Sequence, residues 1–306
     1  MNSEEVKTEL IVILGPTASG KTELAVNLAY QLNGEIISAD SRQVYKKMDV
    51  GTGKDLAEYI KNDKNIPYHL IDICEAGEKY NVARFQNDFH AVFEQVKSRN
   101  GFSILCGGTG LYIQAAISDL WKTQIPVNED FREESESLET EVILEKYAHF
   151  LENYHFSSRK RLVRMVEICE YLEKNPEFSK GEHKAIDYTI FGLNPALELR
   201  RERISKRLKD RFEGQGMVAE VQNLLNDGVS AETLEYYGLE YKYISYFLKN
   251  DMTFDQMFSK LETEIHRFAK RQMTFFRSME SKGFKINWIP DSLSKEEKLQ
   301  YILNKI

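Results

Sequence analysis

The segment Gly15-Pro16-Thr17-Ala18-Ser19-Gly20-Lys21-Thr22 follows a continuous apolar run, LIVIL at 10–14, and leads into residues 22–32, whose apolar positions recur at helical spacing. A buried strand, a tight glycine-containing loop and a helix, in that order, point to a parallel sheet wrapped by helices. The octapeptide fits the spacing GxxxxGK[ST]. In 306 residues of ordinary composition such a match arises by accident about once in a hundred chains. The flanking strand and helix lower those odds further. The glycines let successive backbone N–H groups turn toward one anionic centre at a helix N-terminus. Lys21 adds a mobile positive charge, and the Thr22 hydroxyl is a candidate Mg²⁺ ligand. The loop is predicted to bind a diphosphate or triphosphate, with a plain turn as the alternative.

Residues 35–38 (EIIS), 68–73 (YHLIDI) and 102–106 (FSILC) read as further strands. Residues 81–99 read as a helix, because Val82, Phe85, Phe89, Val92 and Val96 recur every three or four positions. Asn33-Gly34 is a stop signal for the first helix. Strands alternating with helices predict an α/β fold, a P-loop NTPase-like doubly wound parallel sheet. The pattern changes near Asp119: residues 129–145 hold eight acidic groups against one basic, Arg132, and helical stretches run to about Asn175. A strand at 189–193, long helices at about 196–227 and 253–281, and a late strand at 284–289 complete the pattern, with no internal repeat. The expected organisation is an α/β core of residues 1–118 and 189–306 with a helical insertion domain at 119–188.

No run approaches the roughly 20 apolar residues of a membrane helix. The opening MNSEEVKTEL is acidic and polar, unlike a signal or basic transit peptide. Three widely spaced cysteines, Cys74, Cys106 and Cys169, fit neither a disulfide framework nor a CxxC zinc site. A cytoplasmic, reducing location is expected. The net charge of −7 argues at first against a nucleic-acid partner, yet its distribution does not. Residues 159–164, 200–211 and 267–277 together carry a net +13. Local field rather than total charge draws in a phosphate-rich ligand. Solvated helix faces are the alternative for any one cluster.

The type of phosphate chemistry depends on where the acids fall. Motor and switch NTPases usually carry an acid at the end of a core strand, but FSILC ends in Gly107-Gly108-Thr109-Gly110. That weakens an ATPase reading and leaves a small-molecule kinase open. An acid does follow the second strand, in Ser38-Ala39-Asp40-Ser41-Arg42-Gln43. Ligands of doubly wound sheets sit at that edge, so Asp40 is expected near the loop. It can accept or orient a proton there, or simply cap the following turn.

With these motifs in place, the chain resembles the tRNA dimethylallyltransferases (tRNA isopentenyltransferases). The matching segments are GPTASGKTELA at 15–25, SADSRQVYKKMDVGTGK at 38–54, HLIDI at 69–73 and YNVARFQ at 80–86. GGTGLYI at 107–113, KRLVRMVEI at 160–168, RERISKRL at 201–208 and AKRQMTFFR at 269–277 follow in the family's order. Residues 119–157 and the tail after Ser278 match poorly. The resemblance implies transfer of a dimethylallyl group from dimethylallyl diphosphate to N6 of the adenosine at tRNA position 37, just 3′ of the anticodon. The loop would then hold prenyl diphosphate rather than split ATP. Lys21 and the loop amides from Gly15 to Thr22 would grip the diphosphate, with Mg²⁺ near residues 19–22, and Arg207 would add charge on the leaving group. Asp40 would be the general base and Thr109 its hydrogen-bond neighbour. Asp40, Ser41, Arg42, Gln43, Thr109, Lys160, Arg161, Leu162, Val163, Arg164, Arg271 and Gln272 would meet the tRNA anticodon stem-loop. Arg132 aligns loosely with a further tRNA contact. The absence of a zinc-finger pattern after residue 277 resembles the bacterial form, and a monomer without membrane contact is expected.

The residue chemistry agrees. Diphosphate leaves readily once its charge is neutralised by Lys, Arg, Mg²⁺ and backbone dipoles. A carboxylate helps a poorly nucleophilic adenine amine, and the base must leave its stack to react. Tyr45, Tyr112, Phe275 and Phe276 are candidate stackers, with core packing as the alternative. Met165-Val166 stands where the family usually has Ala-Leu, and Gly53 where Ala is common. Gly238-Leu239-Glu240-Tyr241 interrupts a typical Gly-Tyr pair, and the insertion looks short. These departures are expected to lie away from the diphosphate loop. An AMP isopentenyltransferase, a P-loop kinase and a non-enzymatic RNA-binding protein are the competing readings.

Overall fold

Leu10–Leu14 forms β1, and all five of its residues are buried, the pattern of a strand covered on both faces. The computed structural model describes residues 8–118, 120–151, 156–178, 185–214 and 216–306. Most of the acidic opening segment, residues 1–7, therefore lies outside the described residues. The chain divides into two compact units, Met1–Ser118 with Ala185–Ile306, and Asp119–Lys184.

In the first unit β1 leads into α1 (Lys21–Leu32) and β2 (Glu35–Ser38). Asn33 ends α1 in the left-handed conformation (φ 51°), its N–H bonded to Ala29 O. A small hairpin, β3 (Ile60–Lys61) and β4 (Lys64–Asn65), precedes β5 (Tyr68–His69), α2 (Val82–Ser98), β6 (Ser103–Gly107) and α3 (Gly110–Ile117). The strand expected at 68–73 stops after two residues, because Leu70 and Asp72 turn to positive φ (60° and 56°). The Asp72 carboxylate there accepts from buried Lys54.

The second unit holds α4 (Glu129–Glu136), α5 (Thr140–Lys146), α6 (Ala148–Leu151) and α7 (Arg159–Lys174). They close on a core that includes Phe131, Ile143, Tyr147, Leu162 and Val166. Glu167, 2% exposed, is held by Arg132 at 2.7 Å and Arg164 at 3.0 Å. A buried carboxylate needs such pairing to remain charged.

The first unit resumes with β7 (Tyr188–Leu193), α8 (Leu197–Glu213), α9 (Met217–Asn226), α10 (Ala231–Tyr237) and α11 (Leu239–Leu248). It ends with α12 (Phe254–Ser281), β8 (Ile286–Ile289) and α13 (Lys295–Leu303). The single helix expected over 196–227 is two helices, with Gly216 at φ 72° starting the second. The helices α10, α11 and α13 were not apparent from periodicity.

The six main strands lie in the order β5-β2-β6-β1-β7-β8, every pairing parallel. This is the expected doubly wound architecture. Alternate β1 residues serve opposite layers: Leu10, Val12 and Leu14 pack with α2, α3 and α12, whereas Ile11 and Ile13 pack against α1. No described helix is long and apolar enough to cross a membrane.

Candidate active site

The loops leaving β1, β2 and β6 meet at the carboxyl edge of the sheet, where they line a cavity of about 910 Å³. Thr17 to Thr22, Asp40 to Gln43 and Gly107 to Leu111 face it together with side chains of α8 and α12. Every lining residue belongs to the first unit.

The loop after β1 is shaped for an anion. Ala18 (φ 60°) and Gly20 (φ 84°) take left-handed conformations, which turn neighbouring N–H groups to one side. A Cβ on Gly15 would lie 2.6 Å from Ser19 Oγ and 2.9 Å from Leu193 O, so glycine is required there. Ser19 Oγ is buried and has no hydrogen-bond partner, a cost that a bound phosphate oxygen or its cation removes. Burial pulls the Lys21 ammonium below the usual lysine range, with Cys106 and Asp40 opposing and Arg207 adding to the push. Burial and neighbouring Arg211 likewise bring the Arg207 guanidinium down to about 10. Arg207 donates to Thr17 Oγ1, which ties α8 to the loop. This cluster of desolvated cations fits an incoming polyanion. Burial pushes the Cys106 thiol beside Lys21 up to about 12, so it is no nucleophile at neutral pH.

Thr22 lies in the first turn of α1 and lines the cavity. Among the described residues no group of three His, Cys, Asp or Glu side chains is placed to hold a metal. The donor set, hydroxyls beside an anion cradle, fits Mg²⁺ carried mainly by phosphate oxygens and water rather than by a protein cage.

Asp40 Oδ1 accepts from Arg42 N at 2.9 Å, so the capping role anticipated for it is present. The residue also lines the cavity, so one carboxylate both holds the turn and faces the ligand space. Thr109 Oγ1 accepts from Ser41 N at 3.1 Å and lies 3.4 Å from Ser41 Oγ, which fixes the β6 loop against the Asp40 turn. Arg42 lies over the Tyr236 ring, 5.1 Å from its centroid.

Several residues grouped as RNA contacts serve other ends here. Gln272 is 8% exposed, and its Oε1 accepts from Thr17 N (2.9 Å) while its Nε2 donates to Gly108 O (3.0 Å). It latches the loop after β1 to the β6 loop from α12. Gln43 accepts from Ser38 Oγ (3.2 Å) and donates to Gly53 O (3.0 Å). Leu162 and Val163 pack into the core of the second unit, 1% and 9% exposed. Arg132 and Arg164 clamp Glu167, and Arg164 also donates to the carbonyls of Lys122, Ile125 and Pro126. Lys160 and Arg161 are exposed, as is Arg271, which lines the cavity. Of the four candidate stackers, Tyr45, Tyr112 and Phe276 are buried in the core, and Phe275 alone lines the cavity.

The cavity also contains Arg203 and Arg211, to which the sequence alone assigns no individual role, and Glu240, which it marks only as part of a departure from the family pattern. The spacing of the arginines at 203, 207 and 211 was the available signal, since residues four apart share a helix face. Gly53 and Glu240 prove to line the same cavity as the loop after β1, instead of lying away from it.

The profile of the IPP transferase family matches residues 43–279. A tRNA dimethylallyltransferase of Bacteroides fragilis is 47% identical over 301 residues, covering 97% of this chain and 98% of the relative. One from Parabacteroides distasonis is 49% identical over 294 residues, covering 95% of each. The chain belongs to the tRNA dimethylallyltransferase (IPP transferase) family. A solved tRNA isopentenylpyrophosphate transferase from Bacillus halodurans superposes with a TM-score of 0.70 at 29% identity, over 97% of this chain and 95% of that one. A eukaryotic dimethylallyltransferase acting on tRNA shares the fold, with a TM-score of 0.77 at 21% identity, over 98% and 81% of the two chains. Within this dimethylallyltransferase family chain the matched profile begins at Gln43, beyond the loop that follows β1. The full-length relatives extend the match across it.

Proposed function

We propose that this chain transfers a dimethylallyl group from dimethylallyl diphosphate to N6 of the adenosine at tRNA position 37, releasing diphosphate. The observation that carries the reading is a single cavity in which the Lys21 loop and the Asp40 carboxylate face one space while β6 ends without an acid. The relatives' names supply the prenyl donor class and the RNA acceptor.

The loop amides, Lys21 and Arg207 bind the diphosphate and take up charge as it departs. The adenine N6 forms a bond to C1 of the allyl group while the C1–O bond breaks and its electron pair leaves with the diphosphate. The N6 proton passes to the Asp40 carboxylate, and Thr109 keeps the Asp40 turn in place. Thr22 would hold Mg²⁺, which supplies further neutralisation of the leaving group. The test supplies the purified chain with labelled dimethylallyl diphosphate and either unmodified tRNA or AMP. Label entering tRNA at the adenosine beside the anticodon is expected. Efficient transfer to AMP with inert tRNA overturns the reading, as does ATP turnover without any prenyl transfer.

The helical second unit and the exposed cations of α12 are proposed to carry the tRNA backbone. Affinity for tRNA should then fall steeply with salt, by about 0.7–0.9 log units per phosphate contact for each log unit of salt. Substituting Lys160 and Arg161 together with alanine should reduce that slope by about 1.5 and leave donor binding untouched. Titrations across a salt series read this directly, and an unchanged slope removes that surface from the interface. Arg164 is the wrong choice for this test, because its guanidinium supports the unit's own backbone.

A further inference from the structure

Arg203, Arg207 and Arg211 stand four residues apart on α8, and all three line the cavity. Arg207 is bound to the phosphate loop through Thr17. Arg211, one turn further along, is 4% exposed, and its Nε and Nη2 have no hydrogen-bond partner. Its ion pair with Asp55 is loose, with Nη2 3.5 Å from Oδ2. Glu240 feels Arg211 more than any other charge, but burial pushes its carboxyl toward the neutral form. A buried guanidinium with unmet donors destabilises the free protein unless an anion arrives to meet them.

The backbone makes room for this arginine. Gly53 sits at φ +66°, and a Cβ there would lie 2.1 Å from Arg211 Nη2 and 3.1 Å from Cζ. The loop bearing Gly53 is held from several sides. Gly53 O accepts from Gln43, Lys54 Nζ donates to Tyr45 O (2.6 Å) and Asp49 (2.7 Å), and Glu220 receives the N–H groups of Asp49, Val50 and Gly51. Gly53 thus leaves the space that Arg211 fills, and Glu240, far from Gly53 in sequence, lies within reach of its charge.

We propose that Arg211 is a diphosphate-binding residue of this chain, a further positive contact on the donor's leaving group beside Lys21 and Arg207. The assignment rests on the prenyl-transfer reading. At 4% exposure the guanidinium is out of reach of a macromolecular backbone, whereas a small anion entering the cavity reaches it.

The experiment measures binding of inorganic pyrophosphate to the full chain by calorimetry, with melting temperatures alongside. The forms compared are the wild type, Arg211→Met, Gly53→Ala and the double variant. Arg211→Met is expected to weaken pyrophosphate at least tenfold and to melt no lower than wild type, since it removes a buried guanidinium whose Nε and Nη2 donors are unmet. Gly53→Ala is expected to weaken pyrophosphate in the same direction by evicting the guanidinium. It should add less than twofold in the Arg211→Met background, where nothing remains to evict. Pyrophosphate affinity within twofold of wild type in either single variant overturns the assignment, as do fully additive losses in the double variant. Should Arg211→Met fail to fold, Gly53→Ala, with the native arginine present, decides the matter. If the wild-type chain itself binds no pyrophosphate, the prenyl-transfer reading falls first and the assignment with it.

Discussion

Asp40→Asn is expected to lower turnover on tRNA about 10²–10⁴-fold, the usual worth of a positioned general base. Asparagine keeps an oxygen at the position that accepts from Arg42 N, so the turn after β2 survives and only proton acceptance is lost. Melting temperature and tRNA affinity should therefore stay close to wild type while kcat falls. Asp40→Ala removes both roles and should cost stability as well, by about 1 kcal/mol for a lost turn-capping bond. Single-turnover rates with saturating donor and tRNA separate these outcomes. An asparagine variant within tenfold of wild type would reduce Asp40 to a turn residue and reopen the search for the proton acceptor.

Lys21→Met is expected to lower kcat/KM for the prenyl donor by about 10²–10³-fold, comparable to removing one oxyanion contact from a dry site. The free protein should not suffer, because burial already disfavours the ammonium and methionine fills a similar volume. The sign of the stability change thus separates a ligand-binding lysine from a structural one. Thermal melts without ligand should be unchanged or raised, and the shift produced by dimethylallyl diphosphate should shrink. A melting temperature that falls while donor kinetics hold would contradict the cation cluster as the diphosphate site.

Gln272 and Arg271 show how far motif reading reaches. Both sit in AKRQMTFFR, and the resemblance assigns both to the RNA. Successive helical residues point about 100° apart, so Arg271 is exposed at the cavity while Gln272 is buried against the loop after β1. The same divergence runs through KRLVR, where Lys160 and Arg161 are exposed while Leu162 and Val163 enter the core. A contiguous motif records that a segment matters, and the face each side chain presents is set by what packs against it.

Features whose causes lie within a few residues of one another were legible in the chain alone. The strand Leu10–Leu14, the loop to Thr22, the helix stop at Asn33 and the acid at the end of β2 all follow from local sterics, apolar periodicity and covalent order. They suffice for a parallel sheet with an anion loop and a carboxylate on the same edge. Partnerships across long separations required the folded chain. Gln272 meets Thr17 across 255 positions, and Gly53 makes space for Arg211 from a distant segment. Buried polar groups take whichever partners the packed core brings within 3 Å or so. That choice is a property of the assembled tertiary structure, because no local preference distinguishes one arginine or glutamine from the next.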